Sequence, residues 1–446
     1  MRIALAVLLA LTAAFFGLLG WSNAQLHQDA YDVTTTSTTL AGDPAQAAGI
    51  QVTSYFDDRG HLFWSSSYPA DAPQEAQTRY GFSQTQWEED WEYEFGSFEI
   101  SLRSASQYSS SSLEDRVTPS LLTLLKEVQA DYPQVTTDQQ TISLSHYTDH
   151  IPLYVSQYLP GSSLFLEVTD RQLTELLEDY FFFPVPEGLT ATISLETDEE
   201  GLLQGYNFFL DGDNCYLSSQ YAVRGDTVLF ALIPGEGLDP SHIPGGWGVY
   251  ALTGSTPEDL FLTTIYSIPN GGQVVQFFEG QEGDDDLYLL TVEQDVLYLT
   301  QLDGQNLQPV LHLPLFPWAE ERDLDGTVWT EAGLAVFSND GPFMMLVPDG
   351  ANSWRIDFEG DMERQNNLGC FLNMDGTTSL LYDGERLAVT GSYWQEGLSR
   401  NVLFLAVYDR DGLAYLGTYP TSLPGQVGNL YQLSPSHVLS WAETDS

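Results

Sequence analysis

Lysine occurs once in this 446-residue chain, at Lys126, and all basic residues together number 14, against 63 aspartates and glutamates. The formal net charge is -49. Phosphate backbones and anionic lipid headgroups are held by clusters of Lys and Arg, so a surface this poor in both repels them. Nucleic acid is excluded as a partner, whereas cationic peptides, basic protein patches and divalent cations are favoured. Cysteine is almost as scarce. Cys215 and Cys370 alone cannot make a disulfide-dense scaffold or a closed zinc site. They are either bridged in an oxidising compartment or two separate thiols. The GxSxG elbow, the Walker lysine motif and the Rossmann glycine fingerprint are all missing, which removes three common routes to catalysis.

Charge is also absent from the N-terminal run Ile3 to Gly20, IALAVLLALTAAFFGLLG. Its length lies between the core of a cleavable signal and a full membrane span. Residues 1–24 are therefore expected to be a membrane anchor, single-pass, or a signal peptide cleaved near Ser22-Asn23-Ala24, with secretion as the alternative. Trp21 suits the membrane interface, and Arg2 keeps the N-terminus cytoplasmic and the bulk extracytoplasmic. Residues 25–49 include VTTTSTTLAGDPAQAA; small, polar and aperiodic, they read as a Thr/Ala-rich stalk.

After the apolar run, GDPAQAAGIQV and HLFWSSSY resemble uncharacterised exported, membrane-anchored proteins of Gram-positive bacteria. The resemblance covers only the first 70 residues or so. It implies a compartment and no activity.

The remainder divides by texture. Residues 50–205 read as an α+β module. Thr118 and Pro119 open one helix with the stripe Leu121, Leu124, Leu125 and Val128, and Pro133 stops it. Thr169 and Gln172 form a capping box for a second, with the stripe Leu173, Leu176, Leu177 and Tyr180. The tetrapeptide TISL follows each helix, at Thr141 and at Thr192, which suggests a duplicated helix-strand-strand unit. From Asp211 onward Asp-Gly pairs recur, at 303, 325, 340, 349, 375, 383 and 411, each a hairpin-turn signal. Short aromatic strands such as VLYLTQL, PFMMLVP and NVLFLAVYD lie between them. The fold class is thus mainly β with some α, and residues 206–446 read as a β-propeller-like domain, with stacked β-sandwiches as the alternative.

Two local patterns stand out as candidate sites. In WEEDWEYEFGSFEIS, from Trp87, the rings alternate with acids at the period of a half-buried strand that continues through Phe98, Ile100 and Leu102. The alternative is an exposed cage in which Trp87, Trp91 and Tyr93 bind a cation. In ERDLDG, Glu321, Asp323 and Asp325 are spaced like the start of a calcium loop, but Ala332 stands where a bidentate Glu is required. No cofactor is expected beyond that possible calcium. His146 and His150 in HYTDH have zinc-helix spacing without the helix context or the Glu of HExxH. The combined reading is a membrane-tethered extracytoplasmic binding or sensing module without catalytic activity, with an unknown protein, peptide or glycan ligand. An extracellular hydrolase acting on a glycan or peptide is the alternative, and it requires converging carboxylates or a catalytic histidine.

Overall fold

A computed structural model describes residues 11–12, 14–22, 34–58, 62–81, 97–102, 105–108, 117–136, 138–158, 170–199, 201–211, 215–235, 237–281, 283–319, 322–338, 341–350, 352–361, 379–395, 400–422 and 436–442. They are mainly β, arranged as six small antiparallel sheets and one two-stranded pair. The chain divides into two compact units, Met1–Glu92 with Glu321–Ser446, and Tyr93–Glu320.

The first unit holds three sheets. Leu324–Thr330, Gly333–Ser338, Pro342–Pro348 and Trp354–Asp361 form one four-stranded meander. Ser379–Tyr382, Leu387–Gln395, Arg400–Asp409 and Gly412–Tyr419 form a second. Asp349, Asp383 and Asp411 fall in the hairpin connections, as their Asp-Gly pairs suggest. The Asp383 carboxylate accepts from the backbone N–H groups of Glu385 and Arg386 at 2.9 and 2.6 Å, which closes the turn locally. Asp325 behaves differently. It lies inside a strand, where the register shifts between Leu324 and Gly326. The third sheet joins the chain ends: Ser436–Trp441 pairs with Ile50–Asp58, followed by Leu62–Pro69 and Gln77–Gly81.

The expected stalk, residues 25–49, is corrected over its described part, residues 34–49; residues 25–33 lie outside the described residues. Thr38–Gly42 pairs antiparallel with Gly412–Tyr419 as a fifth strand of its sheet, and Ala47 is buried in the short turn that follows. Small residues suit this edge because the backbones come close. A Cβ on Gly42, whose φ is +72°, would lie 2.0 Å from the Ala414 carbonyl oxygen. Leu40 and Ala41 then pack against the core. Arg386 secures the join by donating to the carbonyls of Gln46 and Ala48 at 3.1 and 3.2 Å while lying over the Trp441 ring.

Of the N-terminal run, residues 14–22 are helical and Phe15, Phe16, Leu18, Leu19 and Trp21 are exposed. Residues 3–10 and 13 lie outside the described residues. Among the described residues no helix is long and apolar enough to cross a membrane.

The second unit contains both helices and three sheets. Helix α1, Pro119–Asp131, is capped by the Thr118 hydroxyl accepting from Leu121 N–H, and it buries Leu121, Leu124, Leu125 and Val128, as the spacing predicts. Helix α2, Asp170–Tyr180, buries Leu173 and Leu177 and packs Leu176 and Tyr180 against the same core. Thr169 lies outside the described residues. The two TISL copies meet, since Thr141 is the register partner of Thr192. The duplication goes no further in topology: Leu203–Asp211 pairs beside Thr190–Thr197, whereas Leu153–Tyr158 pairs with Ser97–Leu102.

Two further meanders complete the unit, Leu217–Arg224 to Phe261–Ser267 and Gln273–Glu279 to Pro309–Pro317. The expected boundary at 205/206 cuts through the strand Leu203–Asp211, a second correction. The reason is a shared core. Phe181, just beyond α2, meets Phe230 and Tyr250 edge to face at 5.9 and 4.7 Å, and Phe183 stacks on Trp247. These rings fuse the helical part to the first meander, because large aromatic surfaces dominate packing where they meet.

Candidate functional site

Most of the candidate side chains expected from sequence lie outside the described residues. Trp87, Trp91, Tyr93 and Glu321 lie outside the described residues. The strand Ser97–Leu102 does alternate, with Phe98, Ile100 and Leu102 buried and Ser97 and Glu99 exposed. Asp323 is exposed just ahead of the strand that carries Asp325. Among the described residues no three His, Cys, Asp or Glu gather as a metal site. His146 ends a short turn and is exposed, and His150 instead bonds Asp149 at 2.8 Å. That hydrogen bond holds the Asp149 carboxyl below the usual range. Cys215 is a free, half-buried thiol pushed upward by burial; Cys370 lies outside the described residues.

A different cluster has the properties of a site. Leu287–Glu293, Val296–Leu302 and Pro309–Pro317 are consecutive strands of one meander. Alternation places Thr291 and Glu293 on the same face of one strand, and Tyr298 and Thr300 on the same face of the next. His312 sits directly opposite Thr300 in the register. Glu293 ends its strand because Gln294 and Asp295 turn the chain with φ of 50° and 60°, the sign a two-residue hairpin requires at both positions. Gly272 lets the neighbouring chain approach, since a Cβ there would lie 2.6 Å from Glu293 Cγ.

The result is a carboxylate only 3% exposed. Among the described residues it accepts one hydrogen bond, from the Thr291 hydroxyl at 3.1 Å. His312 Nε2 stands 3.6 Å from Glu293 Oε1, beyond good hydrogen-bonding length. Among the described residues no Lys or Arg pairs with it. A buried carboxylate ordinarily needs several donors or a cation. The His312 ring is held flat on Tyr298, with centroids 4.5 Å apart and planes at 4°, and Nδ1 lies 2.9 Å from the Thr300 hydroxyl. Its side chain is 37% exposed, so the imidazole is in reach of solvent where the carboxylate is not. Tyr266, on the preceding meander, has its hydroxyl pKa raised, chiefly by burial and further by the Glu293 charge.

Carboxylate, imidazole and hydroxyl thus occur in the order of a nucleophilic relay. Thr300, however, is completely buried in a middle strand. A nucleophile must reach its substrate, and this hydroxyl is enclosed between the His312 and Tyr266 side chains. The arrangement can instead accept positive charge: a carboxylate withdrawn from water, a hydroxyl donor, and a part-exposed imidazole stacked on a tyrosine. The sequence carried a weak signal for it. His312 interrupts the apolar run VLHLPLF at an alternating position, and Glu293 closes LYLLTVE, where an inward charge is costly.

No family model matches the sequence, and no curated protein matches it. Among solved structures, the Pseudomonas aeruginosa periplasmic gluconolactonase is 14% identical, over 51% of this chain and 68% of that one, with a TM-score of 0.24. A prolyl endopeptidase is 11% identical, over 83% of this chain and 42% of that one, with a TM-score of 0.24. A post-proline cleaving enzyme from Rickettsia typhi is 9% identical, over 87% and 51%, with a TM-score of 0.25. The chain spans about half or less of the length of the two peptidases. Similarities this slight carry no argument about activity.

Proposed function

We propose that the protein is a membrane-tethered extracytoplasmic binding module that takes up a cationic group at Glu293. The observation that carries this reading is the Glu293 carboxylate itself, 3% exposed yet matched by an imidazole and one hydroxyl. An ammonium or guanidinium that displaces the His312 edge supplies the missing charge, because donors to a desolvated carboxylate bind more strongly than in water. The surplus of 63 acidic over 14 basic residues draws such ligands toward the surface. The exposed apolar side chains of residues 14–22 support the tether, since they find a partner in a lipid interior. The propeller-like reading rests on strand order: the five four-strand meanders run consecutively, and the last is completed by strands from both ends of the chain.

Titration with butylguanidinium at physiological ionic strength, followed by calorimetry, tests the site. The wild type should bind, and Glu293→Gln, which keeps the shape and an acceptor for Thr291, should lose about tenfold or more in affinity. Equal affinity in the two proteins would overturn the assignment.

A further inference from the structure

The duplicated TISL segments build a second surface, independent of Glu293. In both copies the Thr and Ser point outward while the Ile points into the core: Ile142 and Ile193 are buried, and Thr141, Ser143, Thr192 and Ser194 are exposed or half-exposed. The helices' side of this sheet is core, so its other face carries the polar side chains. The neighbouring strand adds Asn207, Phe209 and Asp211 at alternate positions, opposite Ser194, Thr192 and Thr190. Amide, ring and carboxylate therefore stand in a row at about 7 Å spacing, each beside a hydroxyl on the next strand.

The hydrogen bonds on this face are directional. Thr190 and Thr192 both donate to the Asp211 carboxylate, at 3.2 and 3.1 Å. Because the Thr192 proton is used there, Thr192 must accept from Thr141, whose hydroxyl lies 3.2 Å away. Asn207 donates to Ser194 at 2.8 Å. The protons of Thr190, Thr192 and Thr141 are directed within the network, and both Asp211 oxygens accept from it, so what these threonines turn outward is mainly hydroxyl lone pairs. Amid these acceptors Phe209 exposes its ring, at 39%.

We propose that this face binds a neutral saccharide chain. A sugar offers hydroxyl donors to the threonine oxygens, and the C–H side of a pyranose ring covers the Phe209 ring, a combination of apolar body and polar rim that an aromatic flanked by fixed acceptors recognises. Anionic polymers are disfavoured by a net charge of -49. A cationic partner has little to gain here, since Asp211 already receives two hydroxyl donors and is the central charge of the network.

Affinity electrophoresis of the full chain through gels containing hydroxyethyl cellulose, glucomannan or xylan tests the proposal. The wild type should be retarded by at least one of these polymers. Phe209→Ala and Thr192→Val should lose most of that retardation, about fivefold or more in apparent affinity, and Glu258→Gln, at an exposed position in the turn between Gly248–Thr253 and Phe261–Ser267, should keep it. Thr192→Val preserves the β-branched shape, and an unchanged thermal midpoint shows that a loss of retardation is not unfolding. Absence of retardation on all three polymers, or equal retardation of Phe209→Ala, Thr192→Val and wild type, would overturn it. Retention of butylguanidinium binding in Thr192→Val separates this surface from the Glu293 site.

Discussion

Glu178 and Glu293 lie in the same unit and are withdrawn from water to similar degrees, 7% and 3% exposed, yet their surroundings differ. Glu178, on α2, receives the Leu153 N–H at 3.0 Å and the Ser120 hydroxyl at 3.1 Å. Ser120 in turn lies 2.9 Å from the Thr118 hydroxyl that caps α1. One carboxylate thus ties together a helix start, a second helix and a strand. Glu293 bonds a threonine of its own strand and faces a histidine across a gap. A buried charge fully engaged by backbone and hydroxyl donors holds a fold in place, whereas one left to a half-exposed imidazole is available for exchange.

The largest effect should come from breaking the structural member of the pair. Glu178→Ala leaves the buried Leu153 N–H without that acceptor and should cost about 3 kcal/mol in urea unfolding. Thr118→Ala, which strips the cap of α1, should cost about 1 kcal/mol. Because Thr118 reaches Glu178 through Ser120, the double variant should be less destabilised than the sum of the singles, and strict additivity would contradict the network. Glu293→Gln should change stability by about 0.5 kcal/mol or less while removing the cation affinity; a loss as large as that of Glu178→Ala would make Glu293 structural as well.

A third carboxylate sharpens the contrast through pH. Asp357 accepts from Tyr382, and Arg355 and Arg410 lie beside it. The tyrosine hydroxyl, and then Arg355 and Arg410, hold its carboxyl below the usual range. A depressed folded-state value adds stability that is complete above the unfolded carboxylate value, about 3.9, and is lost as pH falls through the folded one. Thermal midpoints of the wild type should therefore fall more steeply than those of Asp357→Asn below about pH 4. Parallel curves would mean that the surrounding groups do not engage the charge.

Legibility in the sequence followed locality. Helix α1 was readable from Thr118, Pro119 and four leucine-type positions because capping and period act within one turn. The strands VLYLTQL and PFMMLVP were readable because alternation and flanking turns bound them, and they occupy Val296–Leu302 and Pro342–Pro348. What escaped depends on distant partners. Residues 38–42 look like a spacer until Gly412–Tyr419 offers an unpaired edge. The 205/206 boundary looks clean because Asp-Gly turns begin beyond it, but Phe181 and Phe183 pack across it against rings placed more than forty residues later. Glu293 and His312 escape the sequence for a similar reason. Their meeting needs a strand register, and among 63 acidic residues no single Glu announces itself.

The central claim is that a cation enters at Glu293 past His312. Side-chain NMR of selectively labelled histidines during butylguanidinium addition reads that directly, with His150 as the internal comparison because its Nδ1 is already held by Asp149. The His312 resonances should shift in a saturable manner and stay fixed in Glu293→Gln, while those of His150 remain still in both. Unmoved His312 signals at saturating ligand, or equal shifts at His312 and His150, would contradict it.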